Sequence, residues 1–384
     1  MRQTLKDISL IVIFVISLTF FIWLPHILAL PNFWGLNFSN GFNTIYRNFD
    51  GLEYVIIAKT FYDPNLISSL PQNLPISYFP AHFPGYPILI NVFVPILGYL
   101  KSMLFVSLIS TILATCAFYF LVRDFKLSNH PLFLSFLFLI LPARWLIVHS
   151  IGSSEPMFIF SIITSVYFFM KFEQSQKFIH IILAGLFGLS AQLTRPPGIL
   201  LFITFALYII YKVTIVTRFN FKKASLYLPV ILIPLGLLGV FYLFSLNLGD
   251  FWAYFHTGDN IHLTFPPFQV FNKHQSWVGD IWLEDLVYIF TLGFLGGCLL
   301  WKQKLHLISF FVLTYLTASI LIAHRDISRY ILPITPFVLI AFERVLTSKE
   351  FKIILPIILL AIYLYSQNFI IENVAPVANL ELFN

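Results

Sequence analysis

Two carboxylates stand three positions apart in the stretch RNFDGLEYVIIAKTFYDP, which covers residues 47–64 beside an apolar run of the chain. A carboxylate that reaches a hydroxyl can take its proton as a general base, so Asp50 and Glu53 are candidates for such chemistry. The same pair also has the spacing of a capping box, with Asp50 capping an amphipathic helix that runs through Lys59. One carboxylate can do both, so the spacing leaves the two roles open.

Three further polar stretches occur at the ends of apolar runs: HSIGSSEPMF (149–158), QLTRPPG (192–198) and HRDISRYILPITP (324–336). The last of them places Arg325 and Arg329 four residues apart. On a helical turn the two side chains would lie on one side, as a clamp on a phosphate requires. Ordinary loop charges that pair with Asp326 are the alternative.

The other two stretches each hold a charged residue with two open interpretations. Glu155 precedes Pro156 and could cap the helix that follows, because acids and prolines favour helix N-termini. Arg195 stands before two prolines and could anchor the chain at the membrane interface. Ionisable residues at a membrane boundary are costly and usually face a cavity or one another, so we expect all four stretches to share one polar cavity.

The elements that must position these residues are membrane spans. Of the 384 residues, 59% are hydrophobic and only 10% are charged, which is too apolar for a soluble core. The apolar runs predict eleven spans, at about 8–30, 102–122, 131–148, 156–171, 178–194, 198–217, 225–246, 284–301, 305–323, 330–347 and 351–370. The run 8–30 is too long for a signal peptide and predicts a retained span. Residues 85–100 would reach only about 24 Å against a hydrocarbon core of about 30 Å, so they predict a re-entrant or interfacial segment.

The distribution of charge sets the orientation of this bundle. With residues 85–100 kept on one side, most of the 23 lysines and arginines fall in loops on the same face as the N-terminus, which the positive-inside rule makes cytoplasmic. The four polar stretches then share the non-cytoplasmic face. The sequence therefore predicts an all-α, polytopic transmembrane helix bundle with a large first outer loop that carries interfacial helices. The tryptophans predicted to lie at the membrane interface are Trp34, Trp145 and Trp252.

Several other chemistries lack their signatures. The two cysteines both fall inside apolar runs, which argues against a disulfide framework. Three histidines of the outer loop 247–283, His256, His262 and His274, show no metal-ligand spacing. There is no glycine-rich phosphate loop, no CxxC and no G-x-S-x-G motif, and the net charge of +6 reflects loop asymmetry rather than nucleic-acid binding. No cofactor is predicted, and a divalent metal is left open as an alternative.

An ordered set of short motifs resembles one known family. The motifs are Asp50-Gly51 followed by Tyr54 and Ile57-Ala58, then YFPAHFPGYPILI (78–90), Ser154-Glu155, TRPPG (194–198) and an Arg-x-x-x-Arg-Tyr-x-x-Pro stretch at 325–333. In this order and on one face, they resemble the PIG-V type of GPI mannosyltransferase and its prokaryotic relatives, which are GT-C glycosyltransferases. The chain departs from that family in having Phe49 before the Asp and Pro197-Gly198 after Arg-Pro, where the family usually has Trp and Asn-Gly.

The resemblance implies a single membrane glycosyltransferase domain over residues 1–384, with the outer loops 31–101 and 247–283 contributing to the active-site cavity. It implies inverting transfer of a sugar, mannose above all, from a polyprenyl-phosphate donor to the hydroxyl of a lipid, glycan or protein acceptor. The transfer would take place on the non-cytoplasmic face of a prokaryotic cell membrane. Because a lipid phosphate is already a good leaving group, the reaction needs one base, for which Asp50 is the matching residue, and positive charge at the phosphate. The residues predicted to bind the substrates are Glu53, His82, Tyr86, Glu155, Arg195, Arg325 and Arg329.

Two other functions also fit a polar cavity among many spans. A lipid or polysaccharide transporter or flippase usually shows repeats with interrupted helices near mid-membrane, and this sequence shows no such repeat. A non-catalytic assembly subunit would explain the apolar composition but not the ordered motifs. One outward cavity in which Asp50 faces the arginines would favour the enzyme, whereas access from both sides through the bundle would favour transport.

Overall fold

The computed structural model describes residues 2–48, 50–216, 225–257, 262–278, 283–375, 380 and 383 of the chain. These residues form helices joined by turns and loops, and they contain isolated β-bridges but no β-strand. The prediction of an all-α bundle is therefore confirmed. Phe49, one of the two departures from the family pattern, lies outside the described residues.

The α-helices of the described residues are named α1 to α18 in chain order. They are Arg2–Ile27, Asn43–Tyr46, Gly51–Thr60, Pro64–Ser69, Gly85–Leu97, Tyr99–Asp124, Pro131–Ile140, Ala143–His149, Glu155–Ser175, Phe178–Thr194, Ile199–Tyr211, Leu232–Leu248, Glu284–Lys302, His306–Ser319, Ile327–Tyr330, Thr335–Ala341, Glu343–Leu346 and Lys349–Glu372. Short 3₁₀ segments lie at Ile76–Ala81, Pro196–Gly198, Leu228–Ile231, Ala253–His256, Gln269–Phe271 and Leu332–Ile334, and a π-helical segment lies at Lys212–Val216.

Within the described part of the chain, seven helices are long and apolar enough to cross a membrane. They are Gln3–Ile27, Tyr99–Asp124, Glu155–Ser175, Pro196–Ile215, Leu228–Leu248, Glu284–Lys302 and Lys349–Glu372. The remaining predicted runs hold a bent helix pair and shorter apolar helices of 10–17 residues. The chain is thus an integral, multi-pass membrane protein, while the number of eleven spans stays a prediction. The segment predicted not to span forms α5, which has only 13 residues.

The predicted run 131–148 is not one straight span. It is divided into α7 and α8, whose axes are bent by 79°. The break falls at Pro142, which has no N–H to donate and which drives Leu141 into an extended conformation with ψ 136°. The bend carries Trp145 into the core, where its ring stacks on Phe138 with 5.3 Å between centroids. The prediction that Trp145 lies at the membrane interface is wrong, because the bend turns this side chain inward.

Helix α9 is the most enclosed of the seven, with 72% of its apolar window buried against 28% for α1. It packs against α6 on one side and α10 on the other. Glycines allow a close approach of the next layer, since a Cβ on Gly185 of α10 would come within 2.3 Å of the Pro229 carbonyl oxygen. Because α9 begins at Glu155, this carboxylate is carried into the interior of the bundle.

Helix α3 belongs to the interior of the bundle rather than to its surface. Its buried residues are Gly51, Leu52, Tyr54, Val55, Ile56, Ile57, Ala58 and Thr60. They occupy every side of the helix, so the prediction of an amphipathic helix is wrong here, while its interfacial position stays a prediction. Packing of α3 against α5 and α6 brings the first outer loop into the bundle, and with it the residues at the start of α3.

Candidate functional site

Asp50 faces a buried arginine from a distant part of the chain. Its Oδ2 accepts a hydrogen bond from Nη2 of Arg329 at 2.8 Å, and Nε2 of His82 lies 3.7 Å from the same oxygen. Asp50 does occupy the N-cap position of α3, but its side chain makes no capping hydrogen bond. The capping-box interpretation is therefore wrong for Asp50, whose carboxylate is used for the ion pair instead. The Asp50 side chain stays 29% exposed, so a second molecule can reach it.

Arg329 also binds Glu155, which it shares with Arg195. Glu155 Oε1 lies 2.5 Å from Arg329 Nε and 2.5 Å from Arg195 Nη1. Its Oε2 is buried and has no hydrogen-bond partner among the described residues. Glu155 is 2% exposed and Arg329 is 5% exposed, so this cluster is enclosed by protein. Buried charges must be paired, and here Oε1 of Glu155 pairs with the guanidinium groups of both Arg329 and Arg195.

The corner after α10 sets the position of Arg195. Ser154 accepts a hydrogen bond from Arg195 Nη1 at 3.1 Å and shares a hydrogen bond of 2.7 Å with the Tyr54 hydroxyl. The chain turns sharply at Gly198, where a Cβ would come within 2.5 Å of the Gln192 Cα. Any larger side chain would open this corner and displace Arg195.

A third arginine, Arg144, which the sequence analysis missed, pairs with Asp326, the carboxylate next to Arg329. Asp326 Oδ2 lies 3.9 Å from Arg329 Nη1, and the other oxygen of Asp326 is ion-paired with Arg144 on α8. The Arg144 guanidinium lies 3.8 Å from the centre of the Phe369 ring on α18. A charged residue inside the apolar run 131–148 was the available signal, since such residues are rare and usually functional.

The same C-terminal helix fixes the chain next to Asp50. Asn48 donates from Nδ2 to the Ile370 carbonyl oxygen at 2.6 Å, and the Ala375 N–H donates to the Arg47 carbonyl oxygen at 2.9 Å. Asn48 and Arg144 thus both contact α18. Asp50, Glu53 and His82 form the acidic half of the site, and Arg329 and Arg195 form its basic half. Helix α18 therefore contacts residues that position both halves.

His82 and Glu53 complete the acidic half. The His82 ring packs edge-on against Tyr54 at 5.0 Å and contacts Tyr78 at 5.2 Å. His82 is 5% exposed, and its Nδ1 has no hydrogen-bond partner among the described residues. Glu53 follows Asp50 by one helical turn, and its Oε2 is likewise buried and unpartnered in the described part of the chain.

The two carboxyl groups of this half differ in acidity. Burial by itself would raise the pKa of Asp50, but the charge of Arg329, aided by His82, holds this pKa well below its usual range. Burial, reinforced by the charge of Asp50, raises the pKa of Glu53 to about 7. Asp50 is therefore ionised at neutral pH, whereas Glu53 changes its charge there.

Two predicted substrate-binding residues are placed elsewhere. Tyr86 is fully buried, and its hydroxyl donates to the Met103 carbonyl oxygen at 2.7 Å and contacts Ser107 Oγ at 2.7 Å. This hydroxyl ties α5 to α6. Arg325 is exposed and precedes α15, which begins at Ile327, so it does not share a helical turn with Arg329 as the spacing had predicted.

Two cavities adjoin the cluster. The first has about 20 Å³ and is lined by Glu155, Arg195 and Arg329 together with aromatic and proline side chains. That is room for about one water molecule. The second is an apolar groove of about 210 Å³, lined by Leu89, Phe93, Val106, Ile109, Ser110, Leu113, Met157, Phe160 and Ser190. Met157 on α9 and Ser190 on α10 lie two residues from Glu155 and five from Arg195, so the groove reaches the ends of these two helices, although Met157 and Glu155 leave α9 on different sides.

The described part of the predicted outer loop 247–283 is hydrogen-bonded to the chain that leads to Arg329. The N–H groups of Thr264 and Phe268 donate to the carbonyl oxygens of Leu321 and Ile320, just before the segment that carries Arg329. His256 pairs with Asp250 at 2.6 Å. Among the described residues, no three His, Cys, Asp or Glu side chains are grouped so that they could hold a metal ion. The expectation about cofactors is not tested by this arrangement.

The helical fold of this chain is similar to that of solved structures of two proteins. ArnT from Cupriavidus metallidurans, solved bound to undecaprenyl phosphate, is similar, with a TM-score of 0.58 and 13% identity over 91% of this chain and 63% of that chain. The Archaeoglobus fulgidus oligosaccharyltransferase in its apo form is also similar, with a TM-score of 0.55 and 13% identity over 98% of this chain and 56% of that chain. The chain therefore spans less than two thirds of the length of either.

No family model matches this chain, and no curated protein matches it. The similarity to the solved structures concerns the fold, since identity is 13% in both cases. The narrower resemblance to the PIG-V type stays a prediction. Six of the eight residues predicted for the site, Asp50, Glu53, His82, Glu155, Arg195 and Arg329, do meet in the structure.

Proposed function

We propose that this protein is an integral-membrane glycosyltransferase that moves a sugar from a polyprenyl-phosphate donor to an acceptor hydroxyl, with Asp50 as the base. The observation that carries the proposal is the contact of Asp50, a partly exposed carboxylate, with Arg329, a buried arginine, at 2.8 Å. Base and phosphate-binding charge thus belong to one site, and the sugar of the donor would have to enter between them, because an in-line displacement puts the acceptor and the departing phosphate on opposite sides of the anomeric carbon. Mannose is the sugar that the motif resemblance favours.

The reaction needs little else from the protein. The acceptor oxygen forms a bond to the anomeric carbon while the bond from that carbon to the phosphate oxygen breaks, so the configuration inverts. Asp50 takes the hydroxyl proton, and the departing phosphate carries away the electron pair. Arg329 and Arg195 stabilise the phosphate, with charge-assisted hydrogen bonds each contributing about 1.5–3 kcal/mol.

In the structure, these arginines are neutralised by carboxylates. Asp50 and Glu155 hold Arg329, and Glu155 holds Arg195. A donor phosphate that reaches Arg329 competes with Asp50 for the guanidinium. It would release the Asp50 carboxylate toward the acceptor at the moment when a base is needed.

The apolar groove beside the site has the properties that the donor's isoprenoid tail requires. Leu89 and Phe93 place α5 in its wall, as expected of the short segment that does not span. Its polar lining is confined to the hydroxyls of Ser110 and Ser190. A tail in this groove would leave its phosphate next to Glu155 and the arginines. The solved ArnT structure bound to undecaprenyl phosphate supports a lipid carrier of this class.

The experiment uses the full chain in lipid nanodiscs with a panel of polyprenyl-phosphate sugars and a mixture of lipid and glycan acceptors. The wild-type protein should form a glycoside from one donor, with inverted configuration. Asp50→Asn should lower the single-turnover rate by about 10²–10⁴-fold, the usual contribution of a general base. Asp285→Asn, an exposed aspartate at the start of α13 and outside both predicted cavity loops, serves as the matched control and should keep the wild-type rate.

Two outcomes would count against the proposal. Wild-type transfer rates in Asp50→Asn would show that Asp50 is not the base. Movement of the intact polyprenyl-phosphate lipid across the bilayer, without any glycoside, would identify a flippase.

A further inference from the structure

Asp50 is well placed to touch the acceptor but poorly suited to keep its proton. A general base works best when its pKa lies near the working pH. Asp50 is bound to Arg329 at 2.8 Å, and this contact holds its pKa well below the usual range. After transfer, the proton on Asp50 opposes re-formation of that ion pair. The site therefore needs a second group to which the proton can move.

Two buried atoms near Asp50 have no hydrogen-bond partner in the described part of the chain: Oε2 of Glu53 and Nδ1 of His82. Buried polar atoms are nearly always hydrogen-bonded, so two exceptions in one place need an explanation. Glu53 lies one turn of α3 beyond Asp50. His82 is close to both, because its Nε2 is 3.7 Å from Asp50 Oδ2 and it is one of the groups that act electrostatically on Glu53.

The surroundings of Glu53 give it the properties of a proton acceptor. The charged or titratable groups that act on it are Asp50, His82 and Arg329. Of the helices packed against α3, α4 and α5 carry no charged side chain, and Lys101 of α6 is exposed. Burial and the charge of Asp50 raise the pKa of Glu53 to about 7, within the range where a carboxyl group can exchange protons at working pH.

We propose that Glu53 is the second proton acceptor of the transfer reaction and takes from Asp50, by way of His82, the proton of the acceptor hydroxyl. This inference rests on the function proposed above. Glu53 begins the reaction as a carboxylate. The hydroxyl proton passes to Asp50 as the glycosidic bond forms, then to His82, and His82 gives up a proton to Glu53. Asp50 returns to Arg329 as a carboxylate, and Glu53 releases its proton to solvent before the next turnover.

The test is the pH dependence of kcat at saturating donor. The active form has ionised Glu53, so the wild-type rate should rise about tenfold per pH unit up to about pH 7 and then level off. Glu53→Gln should be slower and should lose this rise, while KM for the donor stays within about twofold of wild type. Glu53→Asp should restore a pH-dependent rise. Glu284→Gln, an exposed glutamate on the same predicted face, is the matched control and should keep the wild-type profile.

A second measurement does not depend on transfer. Infrared difference spectra of the wild-type protein, recorded across pH 5–9 without substrates, should show a protonated-carboxyl band that disappears near pH 7. The band should be missing in Glu53→Gln. Its absence from the wild-type spectra would overturn the role of Glu53, even if the variant does not fold.

The two proposals fail in different ways. If Glu53→Gln keeps the wild-type rise of kcat with pH, Glu53 is not the second acceptor, while the glycosyltransferase activity stands. If the wild-type protein shows the infrared band but forms no glycoside from any donor, the proposed function is overturned, and the role of Glu53 in transfer goes with it.

Discussion

Helix α9 carries one carboxylate near each end, Glu155 buried and Glu173 partly exposed, and the two are satisfied in opposite ways. At its last turns, Glu173 Oε1 accepts from the Tyr227 hydroxyl at 2.5 Å, and Oε2 binds Lys212 Nζ at 2.5 Å and the Tyr208 hydroxyl at 3.2 Å. At its first residue, Glu155 uses one oxygen for both arginines and leaves the other unpartnered among the described residues. The two carboxylates are about 27 Å apart along one helix.

The difference separates a structural cluster from a reactive one. Every oxygen of Glu173 has a partner, including two tyrosine hydroxyls, so the cluster around it joins helices and has nothing left to bind. The cluster around Arg329 has excess acceptors at Glu53, His82 and Glu155. Unsatisfied buried polar atoms are costly, and native proteins retain them mainly at functional sites.

Of the changes that compare the two clusters, Arg329→Lys should have the largest effect. A lysine keeps the charge but cannot bind Asp50 and Glu155 at once, because it lacks the planar fork of the guanidinium. We expect the rate of sugar transfer to fall by about 10²–10³-fold, as when one donor to a developing negative charge is removed. Single-turnover kinetics measure this. Arg344→Lys, an exposed arginine on α17, should transfer at the wild-type rate, and an equal loss there would point to a general effect on folding.

Glu173→Gln should have the opposite result, a loss of stability without a loss of transfer activity. Losing the charge that holds Lys212 should lower the free energy of unfolding by about 1–3 kcal/mol, while the rate of transfer per folded molecule stays unchanged. Thermal unfolding in detergent gives the first quantity and nanodisc assays give the second. Glu350→Gln, exposed at the start of α18, should change stability by less than about 1 kcal/mol. Altered transfer in Glu173→Gln at unchanged stability would remove the distinction between the two clusters.

Phe369→Leu should have the smallest effect and the most specific one. It keeps apolar volume but removes the ring face beneath Arg144, a contact of about 0.5–1 kcal/mol. Because Arg144 supports Asp326 and thereby Arg329, we expect KM for the donor to rise about two- to fivefold with kcat nearly unchanged. Phe133→Leu removes a comparable contact with Lys352, whose Nζ is 5.2 Å from the ring centre, at the far end of the bent pair α7–α8. It should leave KM unchanged, and a rise equal to that of Phe369→Leu would show that the contact does not position Arg329.

Much of this comparison could be predicted from the sequence. The length of an apolar run locates helices in a membrane protein, because a span must match the thickness of the bilayer and must satisfy its backbone hydrogen bonds internally. The number of predicted spans between them then predicted that Asp50, Glu155, Arg195 and Arg329 lie on the same face of the membrane. The structure brings these four side chains into contact. What failed depended on tertiary packing. The capping spacing at Asp50 is genuine, but a buried arginine competes for the carboxylate more strongly than the backbone N–H groups do.

The other differences have the same origin. Trp145 is of a residue type that is common at membrane interfaces, but the bend at Pro142 turns its side chain into the core. Tyr86 stands inside a motif of the family pattern, yet its hydroxyl serves the contact between α5 and α6. A motif identifies which residues are near a site but not which side of each residue faces it. Side-chain direction depends on partners far away in the chain, as Arg144 shows for Asp326.

The support that α18 gives to both halves of the site has a consequence for biogenesis. Asn48 and the Ile370 carbonyl oxygen that it contacts are separated by 322 positions in the chain. The ribosome completes α18 long after it has made residues 31–101, so in a nascent chain Asp50 and Arg329 lack the helix that aligns them. Such a chain would bind donor lipid poorly. Catalytic competence would therefore arise late, when α18 is inserted into the membrane, and an unfinished chain would not consume donor.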